Sequence, residues 1–366
     1  MSNKKKIVVS VTNDISTDQR VDKVCNYLYS RGWDVVLLGR KLPTSSNVNR
    51  KYKVVRFKLW FNKGAFFYLT FNIRLFFYLL FNKSDVYLSN DIDTLPANYF
   101  ASKFTKRPIV FDAHEAFSEV PELINRKFKK SVWRWVEKKM IPKTKIAYTV
   151  SNGVAEFYKK LTGKSMQVIY NYPLLKSETE KSNISFRQDK KNIIYQGAVN
   201  KGRGIDGAIE AMQYIDAVLH IIGIGDEYIK MKELTEKLKL TDKVVFYGRV
   251  LPDELKSLTP QADLGISFEE DIGLNYRYSL PNKLFDYILA GVPVMVSDLP
   301  EMKRVVLESK VGEVLNSRKP EEVAMQIINL LSNDGKLKEC KENCKSASQK
   351  YCWEQQEPLL DKIFSI

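Results

Sequence analysis

Cysteine is scarce in this chain. Its four residues, Cys25, Cys340, Cys344 and Cys352, are too few in 366 for a disulfide framework, and their spacing matches no common zinc site. A reducing, cytoplasmic setting is expected. Glycine (17) and proline (13) are too infrequent for a collagen-like or low-complexity polymer. A basic triplet opens the chain, but the apolar run behind it is too short for a signal-peptide core, so no secretion is expected. The most apolar stretch, Leu59 to Phe81, contains Lys63 and Arg74 together with Asn62, Gly64 and Asn72, which argues against a transmembrane span.

Negative charge is lacking in one half only. Residues 1–180 carry 32 Lys and Arg against 15 Asp and Glu, net +17, whereas 181–366 are close to neutral at −2. That asymmetry suggests two domains with different partners, the first meeting something anionic such as a phospholipid surface, a lipid diphosphate or nucleic acid. What the chain has in quantity is apolar residue, 44%, enough for sizeable cores in two or three domains.

Those residues fall in an alternating pattern. A β-branched run at Lys6 to Val11, a helical period through Val21, Val24 and Leu28, and a second run at Val35 to Leu38 predict strand, helix, strand. Similar units recur at Val86 to Leu88, Leu95 to Phe104, Ile109 to Phe111, Ile146 to Val150 and Val154 to Leu161. Periodicity lapses over 173–191 and resumes with strands at Ile193 to Tyr195, Val218 to Ile222, Val244 to Tyr247, Leu264 to Ser267 and Val292 to Val296. The pattern predicts an α/β protein of two doubly wound, Rossmann-like domains: 1–172, a linker at 173–191, and 192–345. A terminal helix at 346–366 is expected to pack back on the first domain. A cleft between the carboxyl ends of the two sheets is the expected ligand site.

Two segments have the composition of phosphate sites. In Tyr276 to Pro293, Pro281 can open a helix whose first turn carries Lys283 and whose end is marked by Gly291 and Pro293. Free N–H groups and a cation at a helix start attract phosphate, although an ordinary helix with a solvated lysine would read the same. The second segment, Gln196 to Gly204, follows a strand and combines Gly197, Gly202 and Gly204 with Lys201 and Arg203, suited to a diphosphate or to a plain surface turn. It has the spacing of neither the P-loop nor the dinucleotide fingerprint, which disfavours an ATPase or a dehydrogenase. Gly223-Ile-Gly225-Asp226 after a later strand is a weaker signal of the same kind.

The order of Asp112-Ala-His114-Glu115, Thr149-Val-Ser151, Asn171, YQGAVNKGRG, HIIGIGD, VVFYGRV, LPNKLFDYILAGVPV and Tyr351-Cys-Trp353-Glu resembles glycosyltransferase family 4 along nearly the whole chain. That resemblance implies the GT-B fold, two facing Rossmann-like domains with a nucleotide-sugar donor held mainly by the second. It also implies transfer with retention of configuration and no metal or other cofactor. Arg203 matches a basic residue that contacts the donor diphosphate, Lys283 a second such contact, and His114 a histidine beside the donor sugar. These three are the catalytic candidates. Asp286 stands where a carboxylate binds the ribose, and Gly197, Gly204, Gly225, Gly248 and Asn282 complete the donor side. Asn13, Asp14, Arg20, Asp93 and Glu115 are the acceptor-side candidates.

The pattern also departs from the family. Eight residues before Asp286 stands Tyr278 rather than an acid, which Glu269 or Glu270 could replace only by a different loop path. Ala198 stands where the family has an arginine, and Thr12-Asn13-Asp14 replaces a glycine-rich loop. Asp91-Ile-Asp93 has the form of the metal clamp of the GT-A fold, but reads better with Asp93 capping the next helix or lining the acceptor cleft. His220, in an apolar strand, reads as a core histidine.

The ten aromatic residues between Leu59 and Phe81 suit either buried helices or an interfacial, lipid-touching surface. In 124–140, Ile124, Phe128, Val132, Trp135 and Val136 share one helical face. Arg126, Lys127, Lys130, Arg134 and Lys138 take the other, with Trp133 among them. This fits an anionic membrane or a solvated face. The resulting expectation is a cytoplasmic glycosyltransferase, peripheral on the inner face of the membrane. It would move a sugar from a nucleoside diphosphate to a glycan, lipid-linked, in polysaccharide or glycolipid synthesis. A nucleotide-sugar 2-epimerase of the same fold, and a non-catalytic membrane or nucleic-acid binder, are the rivals. No nucleic-acid-binding motif is evident.

Overall fold

The computed structural model describes residues 4–16, 18–123, 125–175 and 182–365. They form two compact units, one running to Tyr170 and including Leu359 onward, the other running from Asn171 to Pro358.

The first unit follows the order β1 (Lys6–Asp14), α1 (Gln19–Ser30), β2 (Asp34–Lys41), β3 (Lys53–Lys58), α2 (Gly64–Phe81), β4 (Val86–Asn90) and α3 (Leu95–Thr105). It continues through β5 (Ile109–Ala113), α4 (Lys127–Met140), β6 (Ile146–Thr149), α5 (Asn152–Thr162) and β7 (Gln167–Val168). The strands form one parallel sheet in the order β3-β2-β1-β4-β5-β6-β7. Connections leave β1 in opposite directions, so the strand order reverses between β1 and β4. A crevice opens at such a point, outside the carboxyl ends of the strands. The strands are continuous apolar runs because helices cover both faces: Ile7, Val8 and Val9 are wholly buried. Asp18 caps α1 by accepting from the Val21 N–H, and Ser151 caps α5 through Val154. The short strands β3 and β7 lack a distinct apolar run, and the sequence pattern did not reveal them.

The second unit opens with β8 (Lys191–Gln196), α6 (Ile205–Ala211), β9 (Ala217–Ile222), α7 (Tyr228–Lys237), β10 (Val244–Gly248), α8 (Pro252–Leu258) and β11 (Leu264–Ser267). It closes with α9 (Leu274–Arg277), α10 (Asn282–Leu289), β12 (Val294–Val296), α11 (Pro300–Ser309), β13 (Gly312–Val314), α12 (Pro320–Ser332) and α13 (Asp334–Lys350). Its parallel sheet runs β10-β9-β8-β11-β12-β13, with the reversal between β8 and β11. His220 on β9 is a core residue. Its ring stacks on Phe186, its nitrogens lie 2.9 Å from Tyr247 Oη and Asn192 Oδ1, and burial lowers it to about 4.

Two boundaries differ from the sequence reading. Of the expected linker 173–191, residues 176–181 lie outside the described residues, and the remainder packs on the second unit. Pro173 accepts from the Trp353 N–H at 2.8 Å, and Phe186 is buried against His220. Nor is 346–366 one helix. The backbone turns extended at Cys352, where Trp353 is buried, and a new helix α14 (Glu357–Ile363) begins beside Pro358. Residues from Leu359 onward belong to the first unit, where Phe364 meets the rings of Trp33 and Tyr148.

Candidate active site

In the first unit the charged residues gather past the carboxyl ends of β1, β4 and β5. Asp112, the fourth residue of β5, is fully buried. Arg20 from α1 clamps it with Nε 3.1 Å from Oδ2 and Nη2 2.7 Å from Oδ1, while Nη1 donates to the Ile169 carbonyl at 2.9 Å. Burial alone would raise Asp112, but Arg20 and His114 outweigh it and hold the carboxyl at about 2. Arg20 is therefore consumed inside the unit, and its place is behind the edge, fixing Asp112.

His114 stands between two carboxylates. Nδ1 lies 3.3 Å from Asp91 Oδ2, Nε2 lies 3.3 Å from Asp112 Oδ2, and its backbone N–H donates to Asp91 Oδ1 at 2.8 Å. Burial works against charge on the ring, yet Asp91 and Asp112 raise it to about 9, while burial raises Asp91 itself to about 8, so at neutral pH the pair holds a shared proton that favours the imidazolium. Asp91 accepts these bonds from the left-handed backbone region, φ 56°, which Asp tolerates better than most residues. The two members of Asp91-Ile-Asp93 point to different partners: Asp93 accepts from the Thr12 hydroxyl at 2.5 Å and leaves Oδ1 buried without a partner. Burial pushes Asp93 up to about 6 against that hydrogen bond. It does not cap α3, whose N-cap is Thr94. Among the described residues no group of three His, Cys, Asp or Glu is placed to hold a metal ion.

The other acceptor-side candidates separate. Asn13 is exposed, with Nδ2 3.3 Å from Asp18 Oδ2. Asp14 is occupied by Arg56 at 2.9 Å and by Ser45 and Ser16, bonds that tie β1 to β3 and to the loop at Ser45. Glu115 is half-buried beside His114, and its carbonyl accepts from Tyr158 Oη at 3.0 Å.

In the second unit, Glu269 lies just past β11 and is fully buried. Its Oε1 accepts from Lys283 Nζ at 2.9 Å and Arg203 Nη1 at 3.3 Å, and its Oε2 from Ser267 Oγ at 2.6 Å. Burial disfavours the charge, but Lys283 and Arg203 lower the carboxyl below its ordinary value. The loop after β8 and the first turn of α10 thus deliver two cations to one carboxylate, a cluster of net charge +1. Lys283 Nζ also sits 3.9 Å from the centroid of the Tyr195 ring, and the Arg203 guanidinium 5.2 Å from that of Tyr276.

Glycine shapes the space around these cations. A Cβ on Gly197, at φ 128°, would stand 3.5 Å from Lys283 Cε. At Gly204 a Cβ would strike the Phe268 carbonyl at 2.1 Å, so that glycine lets the Arg203 loop close on the segment after β11 that carries Glu269. Gly225 packs as closely on Val199 and Asn200, whereas a Cβ on Gly248, at the end of β10, would only touch Tyr228 Oη at 3.8 Å. Asp286, half-buried on α10, accepts from Gln196 Nε2 at 3.1 Å. Asn282 is exposed and accepts from Asn171 Nδ2 at 3.0 Å. Sequence reasoning gave Glu269 only as a substitute acid and left Asp91 and Asp112 without a role. All three lie within two residues of a strand end, the one sequence signal that marks them.

Two parallel, doubly wound sheets with charged residues at their carboxyl edges are the architecture of the GT-B glycosyltransferases. Glycosyltransferase Family 4 matches residues 18–172, and Glycosyl transferases group 1 matches residues 176–347. The chain belongs to glycosyltransferase family 4. An uncharacterised glycosyltransferase of Methanocaldococcus jannaschii is 29% identical over 206 residues, 52% of this chain and 51% of that protein. The chitobiosyldiphosphodolichol beta-mannosyltransferase of Candida albicans is 30% identical over 128 residues, 34% of this chain and 27% of that one. Matches to these curated relatives thus span about half of their length or less. The Anabaena protein HepE, solved in complex with UDP-glucose, superposes with a TM-score of 0.76 over 98% of this chain and 99% of its own, at 16% identity.

Proposed function

We propose that this protein transfers a sugar, with retention of configuration and without a metal, from a nucleoside-diphosphate sugar to a glycan carried on a lipid at an anionic membrane surface. The observation that carries the donor half is the convergence of Arg203 and Lys283 on Glu269 at the switch point of the second sheet. Two cations against one buried carboxylate leave a positive site, and a diphosphate supplies the missing charge. Asp286 on the same helix is the ribose candidate. In the first unit, Asp93 Oδ1 is the acceptor for an incoming hydroxyl, and the His114 imidazolium is a fixed positive charge beside it. Such a reaction asks the protein for positioning and charge stabilisation more than for covalent chemistry. The binding of UDP-glucose by HepE supports a nucleotide-sugar donor, and the diphosphodolichol acceptor in the name of the Candida relative supports a lipid-linked one.

The test is thermal unfolding with UDP, GDP, ADP, TDP and CMP. A ligand at about 100 times its dissociation constant stabilises by about 2.7 kcal/mol. One nucleoside diphosphate should raise the melting temperature, and Arg203→Ala and Lys283→Ala should each weaken its binding by about 1.5–3 kcal/mol. Unchanged affinity in both variants would refute the assignment. Release of that nucleotide should depend on acceptor and persist in EDTA, whereas acceptor-independent conversion of the donor would indicate an epimerase.

A further inference from the structure

Helix α2 is apolar on two sides. Phe67, Phe71, Leu75 and Leu79, every fourth residue, are buried against Val8, Val36, Leu38 and Tyr87 of the first sheet. Phe66, Leu69, Ile73, Phe77 and Phe81 form a second stripe that faces outward, with Phe81 80% exposed. The stripe continues beyond the helix. Phe61 packs its ring 5.4 Å from Phe66, Trp60 beside it is 97% exposed, and Phe104 at the end of α3, 71% exposed, lies 6.0 Å from the ring of Phe76. Single exposed apolar residues are ordinary, but a row of large apolar side chains along a whole helix, aromatic at both ends, marks a surface that something covers.

Charge says what covers it. Residues 58–83 and 95–107 contain seven cations, Lys58, Lys63, Arg74, Lys83, Lys103, Lys106 and Arg107, and no Asp or Glu. Arg107 pairs with Asp85 at 3.6 Å, and an apolar face framed by the other cations is complementary to phospholipid, with acyl chains at its centre and anionic headgroups at its rim. The helix has the length and composition of a membrane span, but its four core residues hold it flat on the sheet. The neighbouring helix adds to the face. On α4 the side chains of Phe128, Val132 and Trp135 are exposed, while Trp133 turns inward against Tyr68 and Phe117. That corrects the sequence reading, which put Trp133 on the charged face; Lys130 and Arg134 are both drawn onto Glu119. Ile124 lies outside the described residues.

We infer that α2, with the ends of α3 and α4, is an interfacial element that lies in the headgroup layer of an anionic bilayer and brings the acceptor edge of the first unit to it. Asn72 makes that second link. Its Nδ2 donates to the Asp93 carbonyl at 2.8 Å, its Oδ1 accepts from the Ala97 N–H at 3.0 Å, and Trp60 and Phe61 follow the carboxyl end of β3. A lipid-borne glycan therefore meets Asp93 and His114 without leaving the membrane surface.

This inference deepens the membrane half of the reading above, and its test is separate from donor binding. The full chain should float with vesicles of phosphatidylcholine and phosphatidylglycerol, less so at high salt, and bind pure phosphatidylcholine weakly. The combined variant Phe66→Ser, Phe77→Ser, Phe81→Ser should lose more than about tenfold in vesicle affinity. It should keep the wild-type melting transition and nucleotide response, since none of the three lies in the core. Failure of the wild type to float at low salt would overturn the inference, as would equal flotation by the triple variant. A wild-type dimer dispersed by the same substitutions, without vesicle binding, would assign the face to a second copy instead.

Discussion

A histidine held between Asp91 and Asp112 titrates according to its neighbours. With His114 raised to about 9, its stabilising contribution is fully present below the ordinary imidazole value of about 6.5 and is lost as pH rises through about 9. Asp112, held at about 2, contributes above its ordinary value of about 4 and is lost as pH falls through about 2. The first unit should therefore lose stability at both ends, the alkaline loss disappearing in His114→Gln. Imidazole NMR shifts should show His114 protonated at pH 7.5 and His220 neutral; a neutral His114 there would remove the fixed positive charge from the mechanism. In the second unit, Glu269→Gln leaves the buried Lys283 and the half-buried Arg203 without their counter-charge and should cost about 3–5 kcal/mol in chemical denaturation. The same variant should gain more stability from the nucleoside diphosphate than wild type does, because the ligand replaces the lost charge. An equal or smaller gain would mean that Glu269 orients Lys283 and Arg203 more than it competes for them. Arg203 and Lys283 were legible in the sequence because glycines and a helix-opening proline surround them. Asp112 and Glu269 were not, since the partners that set their charge states stand 92 and 14 residues away.

At the scale of elements, the 3.6-residue and unbroken apolar periods identified most strands and helices, because parallel strands covered on both faces admit only apolar runs. α2 is where period alone was ambiguous. A helix apolar all round reads as buried, and only the packing shows which stripe meets the sheet. Asn72, a polar residue within that apolar run, bridges α2 to the start of α3 through two hydrogen bonds. Asn72→Leu should cost about 1–3 kcal/mol by leaving the Ala97 N–H and the Asp93 carbonyl unpaired, and should loosen the acceptor edge. Hydrogen exchange at Ala97 would report it, and unchanged protection would show that the bridge contributes nothing.

For the molecule as a whole, the last residues belong to the first unit although the chain reaches them from the second. Leu360, Ile363 and Phe364 are buried there, and Asp361 accepts from Tyr27 Oη at 2.6 Å. Truncation after Pro358 should lower the melting of the first unit well below that of the second, since each lost core side chain is worth about 2–5 kcal/mol. Calorimetry of the truncated chain should resolve two transitions; one unshifted transition would refute this. The sequence by itself determined the class of fold and marked Arg203 and Lys283 as candidate cations, because hydrophobic period and helix-start chemistry are local. Only the tertiary structure decided which carboxylates those cations face, that His114 stands between Asp91 and Asp112, where the terminal segment belongs and which side of α2 is left uncovered. Charge state and exposure depend on neighbours that the fold brings together from distant parts of the chain, and no local pattern records them.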